Sequence, residues 1–238
     1  MVVFQPAPAT LPPGRRVYAV GDVHGCDRQF TLLHQAIAAD LAARPIAAPL
    51  ILHTGDYLDR GPASAAVVGR LAGGPPLPGV ETVNLRGNHE AMALAVLAGG
   101  NAESATLWLL NGAAATLASW GIDADSPAPL WARHVPPAHL RFLRALAMSH
   151  SEGGYFFAHA GVRPGVPLAA QDPADLLWIR EPFLSYKGDL GAVVVHGHTP
   201  REKPVIRRNR IGIDTGAVYG GPLTAAVLEG DQIGFLQV

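Results

Sequence analysis

Residues 16–25, RVYAVGDVHG, form an apolar run that stops at a glycine, an aspartate and a histidine. The run predicts a short buried β-strand, and the polar residues follow where the strand ends. Asp22 and His24 are two positions apart, so in extended chain both side chains point the same way and can reach one ion. Gly21 and Gly25 let the backbone turn tightly beside them. This stretch therefore predicts a metal site at the end of a strand.

The same arrangement of apolar run and polar residue occurs twice more downstream. Asp56 follows the run at residues 49–54, and Asn88 follows the run at residues 80–85. Helical spacing is found between the runs, at residues 30–43 and from Pro62 onward. Strand and helix thus alternate three times, which predicts an α/β fold with a largely parallel sheet. The carboxyl ends of parallel strands meet at one edge, so these polar residues should lie together.

The rest of the chain divides into a helical part and a strand-rich part. A helical insert is predicted at about residues 91–149, with helices at residues 90–98, 104–120 and 140–148. Strands are predicted at residues 155–158, 192–195, 203–206, 211–213, 223–228 and 233–238. The last pairs are separated by turn residues and should be antiparallel. A second, mixed sheet facing the first follows from this order.

Composition limits the classes of protein that the chain can belong to. Residues 15–238 are predicted to form one domain, preceded by a flexible, Pro- and Ala-rich arm at residues 1–14. The net charge of −1 gives no basic field for nucleic acid or an anionic membrane. No apolar run is long enough to cross a bilayer. The single cysteine, Cys26, excludes an intrachain disulfide and suits a reducing compartment, so we expect a cytoplasmic protein. The sequence leaves the oligomeric state open.

Two later motifs complete a set of metal ligands. His159 and His198 each follow a predicted strand of the second sheet. Asp56 has two carboxylate oxygens and can bridge two ions. The predicted ligands are Asp22, His24 and Asp56 for one ion, and Asp56, Asn88, His159 and His198 for the other. Oxygen and nitrogen donors without a thiolate select ions such as Mn, Fe, Zn or Mg. Two such ions side by side form a centre that cleaves phosphoesters.

In their order and residue types, these motifs resemble the signature of the phosphoprotein phosphatases, a metallophosphoesterase family. Residues 21–25, 55–61 and 87–90 match its Gly-Asp-x-His-Gly, Gly-Asp-x-x-Asp-Arg-Gly and Gly-Asn-His-Glu patterns. The short length and the Asp-Thr-Gly at residues 214–216 resemble its bacterial and phage serine/threonine phosphatase branch. The resemblance implies a calcineurin-like sandwich of two mixed sheets flanked by helices. It also implies two divalent metal ions, with Mn²⁺ expected first and Fe, Zn or Mg as alternatives, and a hydroxide bridging them that attacks phosphorus.

Four further residues are predicted to act on the substrate. His89 follows ligand Asn88 but faces the other way, so we expect it to be the general acid. Asp59 would hydrogen-bond the His89 ring and favour its charged form. Arg60 can clamp two phosphate oxygens. Arg180 lies in a Trp-x-Arg-Glu stretch that resembles the family's segment with a phosphate-binding arginine.

The sequence favours a phosphomonoesterase, with a serine/threonine phosphatase acting on phosphorylated protein as the first hypothesis. The alternatives are a broad-specificity enzyme for small phosphoesters and a dinucleoside tetraphosphatase. The tetraphosphatase branch usually departs from the family's Asp-Arg pair and final Glu, whereas this chain has Asp59, Arg60 and Glu90. A metal-binding protein without activity would lack a ligand or the acid pair, and all of these residues are present.

Overall fold

Two β-sheets lie face to face in the computed structural model, which describes residues 2–238. The strands are β1 (Gln5–Pro6), β2 (Arg15–Val20), β3 (Ala48–His53), β4 (Glu81–Asn84), β5 (Ser149–Glu152), β6 (Tyr155–Ala158), β7 (Val193–His196), β8 (Val205–Ile206), β9 (Arg210–Gly212), β10 (Thr224–Glu229) and β11 (Gln232–Gln237). The helices are α1 (Asp27–Ala43), α2 (Ser64–Ala72), α3 (Asn88–Leu97), α4 (Ala102–Leu110), α5 (Ala113–Ser119), α6 (Pro137–Ala145) and α7 (Pro173–Trp178). Within residues 2–238, no helix has the length and apolar character needed to span a bilayer.

Both sheets are mixed, as the resemblance implies. The prediction of a largely parallel first sheet is wrong, because the C-terminal strands β10 and β11 join that sheet antiparallel. The first has the order β1-β11-β10-β2-β3-β4, with β2, β3 and β4 parallel and the other pairs antiparallel. The second has the order β5-β6-β7-β9-β8, with β6, β7 and β9 parallel. The predicted α/β sandwich of two mixed sheets with flanking helices is therefore confirmed. The parallel strands of each sheet end at the polar motifs.

The apolar runs are continuous because the central strands are buried on both faces. In β2, Val17 and Ala19 face the second sheet, whereas Tyr18 and Val20 pack with the helices on the outer face. All four side chains are fully buried. The core between the sheets continues through Phe157 of β6. Packing on both faces fixes where β2 ends, and thereby where its polar residues emerge.

The helical insert differs from the prediction at one point. Residues 104–120 are predicted as one helix, but the chain breaks at Gly112, which has a φ of +98° and separates α4 from α5. Arg60 donates its backbone N–H to the Gly112 carbonyl at 3.1 Å. This contact with a distant loop holds the break, and the apolar spacing on either side of Gly112 gives no sign of it.

The N-terminal segment is packed, which corrects the prediction of a flexible arm at residues 1–14. In its described part, β1 pairs antiparallel with β11. Leu11 is buried in the core between the sheets, and Val2 is buried at the edge of the outer core. These apolar side chains are covered only when the segment lies along the sheet, which explains why it is ordered.

Candidate metal centre

The loops that follow the parallel strands bring the six predicted ligand residues to one place. The first sheet contributes the residues after β2, β3 and β4, and the second sheet contributes those after β6 and β7. Direct contacts among side chains or backbone link all six, which are Asp22, His24, Asp56, Asn88, His159 and His198. Each of the six is at most 9% exposed. The centre is therefore built from both sheets at one end of the sandwich.

One group of donors surrounds Asn88. Its Oδ1 lies 2.8 Å from His159 Nε2 and 3.0 Å from His198 Nδ1, and the two imidazole nitrogens are 3.2 Å apart. Asp56 Oδ2 lies 3.4 Å from the same nitrogen of His159. Four donor atoms thus converge with no cationic group between them. Their types and spacing suit one divalent ion.

A second group lies on the other side of Asp56. His24 Nε2 is 3.5 Å from Asp56 Oδ2, the oxygen that also faces His159. His24 Nδ1 donates to the Leu58 carbonyl at 2.7 Å, which leaves the lone pair on Nε2. Arg60 Nη1 donates to this lone pair at 2.5 Å, so a cation here would take the place of the guanidinium. One oxygen of Asp56 serves both groups, as a bridging ligand must.

Asp22 shows that the centre is built for cations. Its Oδ2 accepts the backbone N–H of His198 at 2.9 Å, whereas its buried Oδ1 has no hydrogen-bond partner among residues 2–238. A Cβ at Gly197 would overlap Oδ1, so only glycine fits beside it. Burial, together with the carboxylates of Asp214 and Asp56, raises the pKa of Asp22 well above its ordinary value. A divalent cation would offset the charge of these buried carboxyl groups and would give Asp22 Oδ1 a partner.

The ligand histidines are held neutral. Burial lowers the pKa of His24 and of His198 to about 3, and it also lowers the pKa of His159. Neutral imidazole is the form that binds a metal ion. These three rings therefore offer lone pairs at physiological pH.

His89, in contrast to these three histidines, favours its charged form. Burial alone would lower the pKa of His89, but the carboxylates of Asp56 and Asp59 outweigh burial and raise it above the ordinary value. His89 Nδ1 lies 2.6 Å from Asp59 Oδ2. His89 Nε2 is buried, and within the described chain it forms no hydrogen bond. The ring is therefore charged more readily than its neighbours, with a proton on Nε2 that no protein group accepts.

A cavity of about 560 Å³ opens above the centre. Asp56, Asn88 and His198 line its floor. Both predicted phosphate-binding residues, Arg60 and Arg180, lie on its wall. Arg163, the third arginine of the lining, is paired with Asp175. Arginine side chains beside a cluster of metal-ligand types form a site suited to a phosphate group.

Backbone strain is concentrated at the centre. In the part of the chain that the structure describes, all non-glycine residues with positive φ belong to the site: His24, Asp56, Asp59, Arg60 and His198. Each such conformation costs about 1–3 kcal/mol and persists only where the surroundings impose it. No local sequence pattern announces these conformations, since none of the five residues is a glycine.

The buried carboxylate of Glu90 supports one strained loop. It accepts backbone N–H groups from Asp56 at 2.9 Å, Tyr57 at 2.8 Å, Leu58 at 3.1 Å and Gly87 at 2.9 Å. Four donors on one side chain fix the loop that carries Asp56 relative to the turn before Asn88.

Sequence reasoning missed two residues of the site, Trp108 and Thr116. The indole N–H of Trp108 donates to Asp59 Oδ2 at 2.9 Å. Thr116 also contacts the Asp59 carboxylate. No spacing pattern could reveal contacts between positions so far apart in the chain.

Comparisons with known proteins agree with this geometry. A family model described as calcineurin-like phosphoesterase matches residues 15–222. The chain is 32% identical to serine/threonine-protein phosphatase 1 of Salmonella typhimurium, over 90% of this chain and 93% of that protein. It is 27% identical to an asymmetrical bis(5'-nucleosyl)-tetraphosphatase of Anoxybacillus flavithermus, over 87% of each chain. A solved structure of a putative diadenosine tetraphosphatase superposes with a TM-score of 0.65 at 25% identity, covering 96% of this chain and 98% of that one.

Proposed function

The chain belongs to the calcineurin-like phosphoesterase family, and we propose that this phosphoesterase is a metal-dependent serine/threonine protein phosphatase. The observation that carries the proposal is the pair of donor groups that share Asp56 beside a cavity lined by Arg60, Arg163 and Arg180. Such a site is suited to a phosphate group and two cations at once.

The residues present fit two divalent ions, for which Mn²⁺ is the first candidate. Asp22, His24 and Asp56 would hold one ion, and the other would be held by Asp56, Asn88, His159 and His198. When bound, the ions lower the pKa of a water molecule so that it attacks phosphorus at neutral pH, and they offset the charge of the phosphate. Asp56, His159 and His198 already lie together, whereas the group around His24 and Asp56 also includes His89, and Arg60 contacts His24 Nε2.

Arg60 and Arg180 bind the phosphate oxygens in this account. Arg60 would leave His24 Nε2 for the phosphate once a cation occupies that position. Arg180 reaches the cavity from the residues after α7. Each guanidinium presents paired donors that match two oxygens of a phosphate group.

His89 donates a proton to the leaving oxygen. As the bond between phosphorus and the leaving oxygen breaks, that oxygen keeps the bonding electron pair and takes the proton from His89 Nε2. Asp59 stabilises the charged ring before the transfer. The attacking water provides the fourth oxygen of the released phosphate.

A general acid at His89 favours a phosphomonoester of serine or threonine as the substrate. The alkoxide that leaves such an ester is strongly basic, so its departure gains most from protonation. A tetraphosphatase expels a nucleotide phosphate, which leaves well without an acid. The match to a serine/threonine phosphatase over nearly the full length supports the same choice. Dinucleoside tetraphosphate hydrolysis is the second candidate, because relatives and a similar solved structure carry that description.

The test is phosphate release from a phosphothreonine peptide and from diadenosine tetraphosphate, side by side, with metal-stripped protein resupplied with Mn²⁺. We expect turnover of the peptide and little turnover of the dinucleotide. The reverse preference would keep the metal centre and overturn the proposed substrate. A His89→Asn variant that kept normal peptide turnover would contradict the role of His89.

A further inference from the structure

We propose that Trp108 and Thr116, two residues of the helical insert, are positioning residues that fix Asp59 and thereby aim His89 at the leaving oxygen. The inference rests on the proposed function and assigns a catalytic purpose to the insert.

The Asp59 carboxylate is fully buried and is held by three side chains. Its Oδ2 accepts from His89 Nδ1 at 2.6 Å and from Trp108 Nε1 at 2.9 Å. Its Oδ1 accepts from the Thr116 hydroxyl at 2.7 Å. With donors on both oxygens, the carboxylate cannot rotate, and the His89 ring that it orients is fixed as well.

Thr116 also holds the backbone of Asp59. Its hydroxyl oxygen accepts the Asp59 N–H at 2.7 Å while its proton goes to Asp59 Oδ1. Asp59 has a φ of +71°, a conformation that an aspartate keeps only when contacts impose it. One side chain thus stabilises both the strained backbone and the carboxylate orientation.

The two positioning residues are themselves rigid. Trp108 of α4 and Thr116 of α5 are fully buried. The Trp108 ring packs edge-on against Trp131, with the ring centroids 6.1 Å apart. The break at Gly112 lets α4 and α5 approach Asp59 from two directions.

A purely structural role would not require these particular contacts. Trp131, another buried tryptophan of the insert, donates its N–H to Ser126 and has no contact with the Asp59–His89 pair. Trp120 likewise donates to His139. Trp108 differs from both, since its N–H is directed at the carboxylate that orients the proposed acid.

The test compares two substrates with different leaving groups. Trp108→Phe and Thr116→Val each remove one donor to Asp59. We expect kcat for a phosphothreonine peptide to fall about 10- to 100-fold, as is typical when a supporting partner is removed. The kcat for p-nitrophenyl phosphate should change little, because nitrophenolate leaves without protonation. KM and the number of bound Mn²⁺ ions should stay the same for both variants.

Two further variants separate positioning from stability. Trp120→Phe makes the same change to another tryptophan of the insert, whose N–H goes to His139, and should leave the ratio of the two kcat values as in the wild type. Thr116→Ser keeps the hydroxyl and should restore the ratio that Thr116→Val loses. Equal losses on both substrates, or the same selective loss in Trp120→Phe, would overturn the inference.

The wild-type protein distinguishes this inference from the proposed function. Wild-type protein that turns over neither substrate with Mn²⁺ overturns the proposed function, and the inference with it. When the wild type is active, the change in substrate ratio decides the inference by itself.

Discussion

Histidines that look alike in the sequence acquire opposite properties in this fold. Burial keeps the rings of His24 and His198 neutral, with a pKa of about 3. His89 is buried too, yet neighbouring carboxylates raise its pKa above the ordinary value. Asp59 would still act on His89 when Asp56 is bound to cations. The environment of each ring thus separates the proposed metal ligands from the proposed proton donor.

Asp56 is the residue on which both metal positions depend. We expect Asp56→Asn to lower the number of bound Mn²⁺ ions from two per chain to fewer than one, because the variant removes the negative charge that both positions share. Phosphatase activity should fall by about 100-fold or more. Elemental analysis of the gel-filtered protein measures the bound ions. The control is Asp231→Asn, an exposed carboxylate in the turn before β11, and two ions retained in Asp56→Asn would contradict the account.

The contact between the helical insert and the loop that carries Asp59 and Arg60 depends on the helix break at Gly112. Gly112 and Gly99 have nearly the same backbone, with φ values of +98° and +99°. A Cβ at Gly112 would meet the backbone nitrogen of Arg60 at 2.9 Å, whereas a Cβ at Gly99 would meet no atom within 4 Å. A comparison of the two glycines therefore separates the effect of backbone strain from the effect of the contact with Arg60.

We expect both Gly112→Ala and Gly99→Ala to lower the free energy of unfolding by about 1 kcal/mol through backbone strain. Only Gly112→Ala should also lower kcat, because it pushes the loop that carries Asp59 and Arg60. Urea unfolding and phosphate release measure the two effects. Equal kcat values for the two variants would show that this contact does not position the loop.

Strand ends could be predicted because each apolar run forms a buried strand. The candidate ligands Asp22, Asp56 and Asn88 follow three of these strands, and the fold places them at one end of the sandwich. The helix break at Gly112 was missed although Asn111 and Gly112 form a pair that favours turns. The hydrogen bond that Arg60 of a distant loop donates to the Gly112 carbonyl was not visible in the sequence. The polar strand β5 was also missed, since it lies at a sheet edge and lacks a buried apolar pattern.

The contacts of Asp59 with Trp108 and Thr116 could not be predicted from the sequence for a related reason. The sequence predicts the contact between Asp59 and His89, since both residues lie in the motifs at residues 55–61 and 87–90. Trp108 and Thr116 reach Asp59 only after α4 and α5 pack on the first sheet, and neither lies in a recognisable pattern. Tertiary packing decides such contacts.

A buried histidine pair joins α1 to β3. His34 Nε2 lies 3.0 Å from His53 Nε2, and His53 Nδ1 lies 2.7 Å from Asn84 Oδ1. Burial lowers the pKa of His34 to about 4. Burial and the neighbouring His34 lower the pKa of His53 to about 3. Both rings are therefore neutral in the folded protein well below the pH at which an unfolded chain takes up protons.

The buried pair of His34 and His53 predicts that the free energy of unfolding falls at acidic pH. The unfolded histidines bind protons below a pH of about 6.5 and the folded ones do not, so their contribution is complete above that pH and is lost as the pH falls through the folded pKa values. Between pH 6 and pH 4, each such histidine should lower the free energy of unfolding by about 1.4 kcal/mol per pH unit. His53→Gln should show a slope that is shallower by about this amount. Urea unfolding with a chelator present measures it, and an unchanged slope would contradict the prediction.

The two sheets share an apolar core, and the candidate centre joins them at one end. The first sheet supplies Asp22, Asp56 and Asn88, and the second supplies His159 and His198. Two cations bound there would link both sheets and offset the charge of the buried carboxylates. Binding to the folded state alone should raise the free energy of unfolding, by about 2.7 kcal/mol for each ion at a concentration 100-fold above its Kd.

The most direct test is a titration of metal-stripped protein with Mn²⁺, in which bound ions and phosphate release from a phosphothreonine peptide are measured on the same samples. We predict no turnover without metal, and full turnover only as the second ion per chain binds. Turnover in the presence of excess chelator, or full activity with a single ion, would contradict a catalytic centre built on the two donor groups that share Asp56.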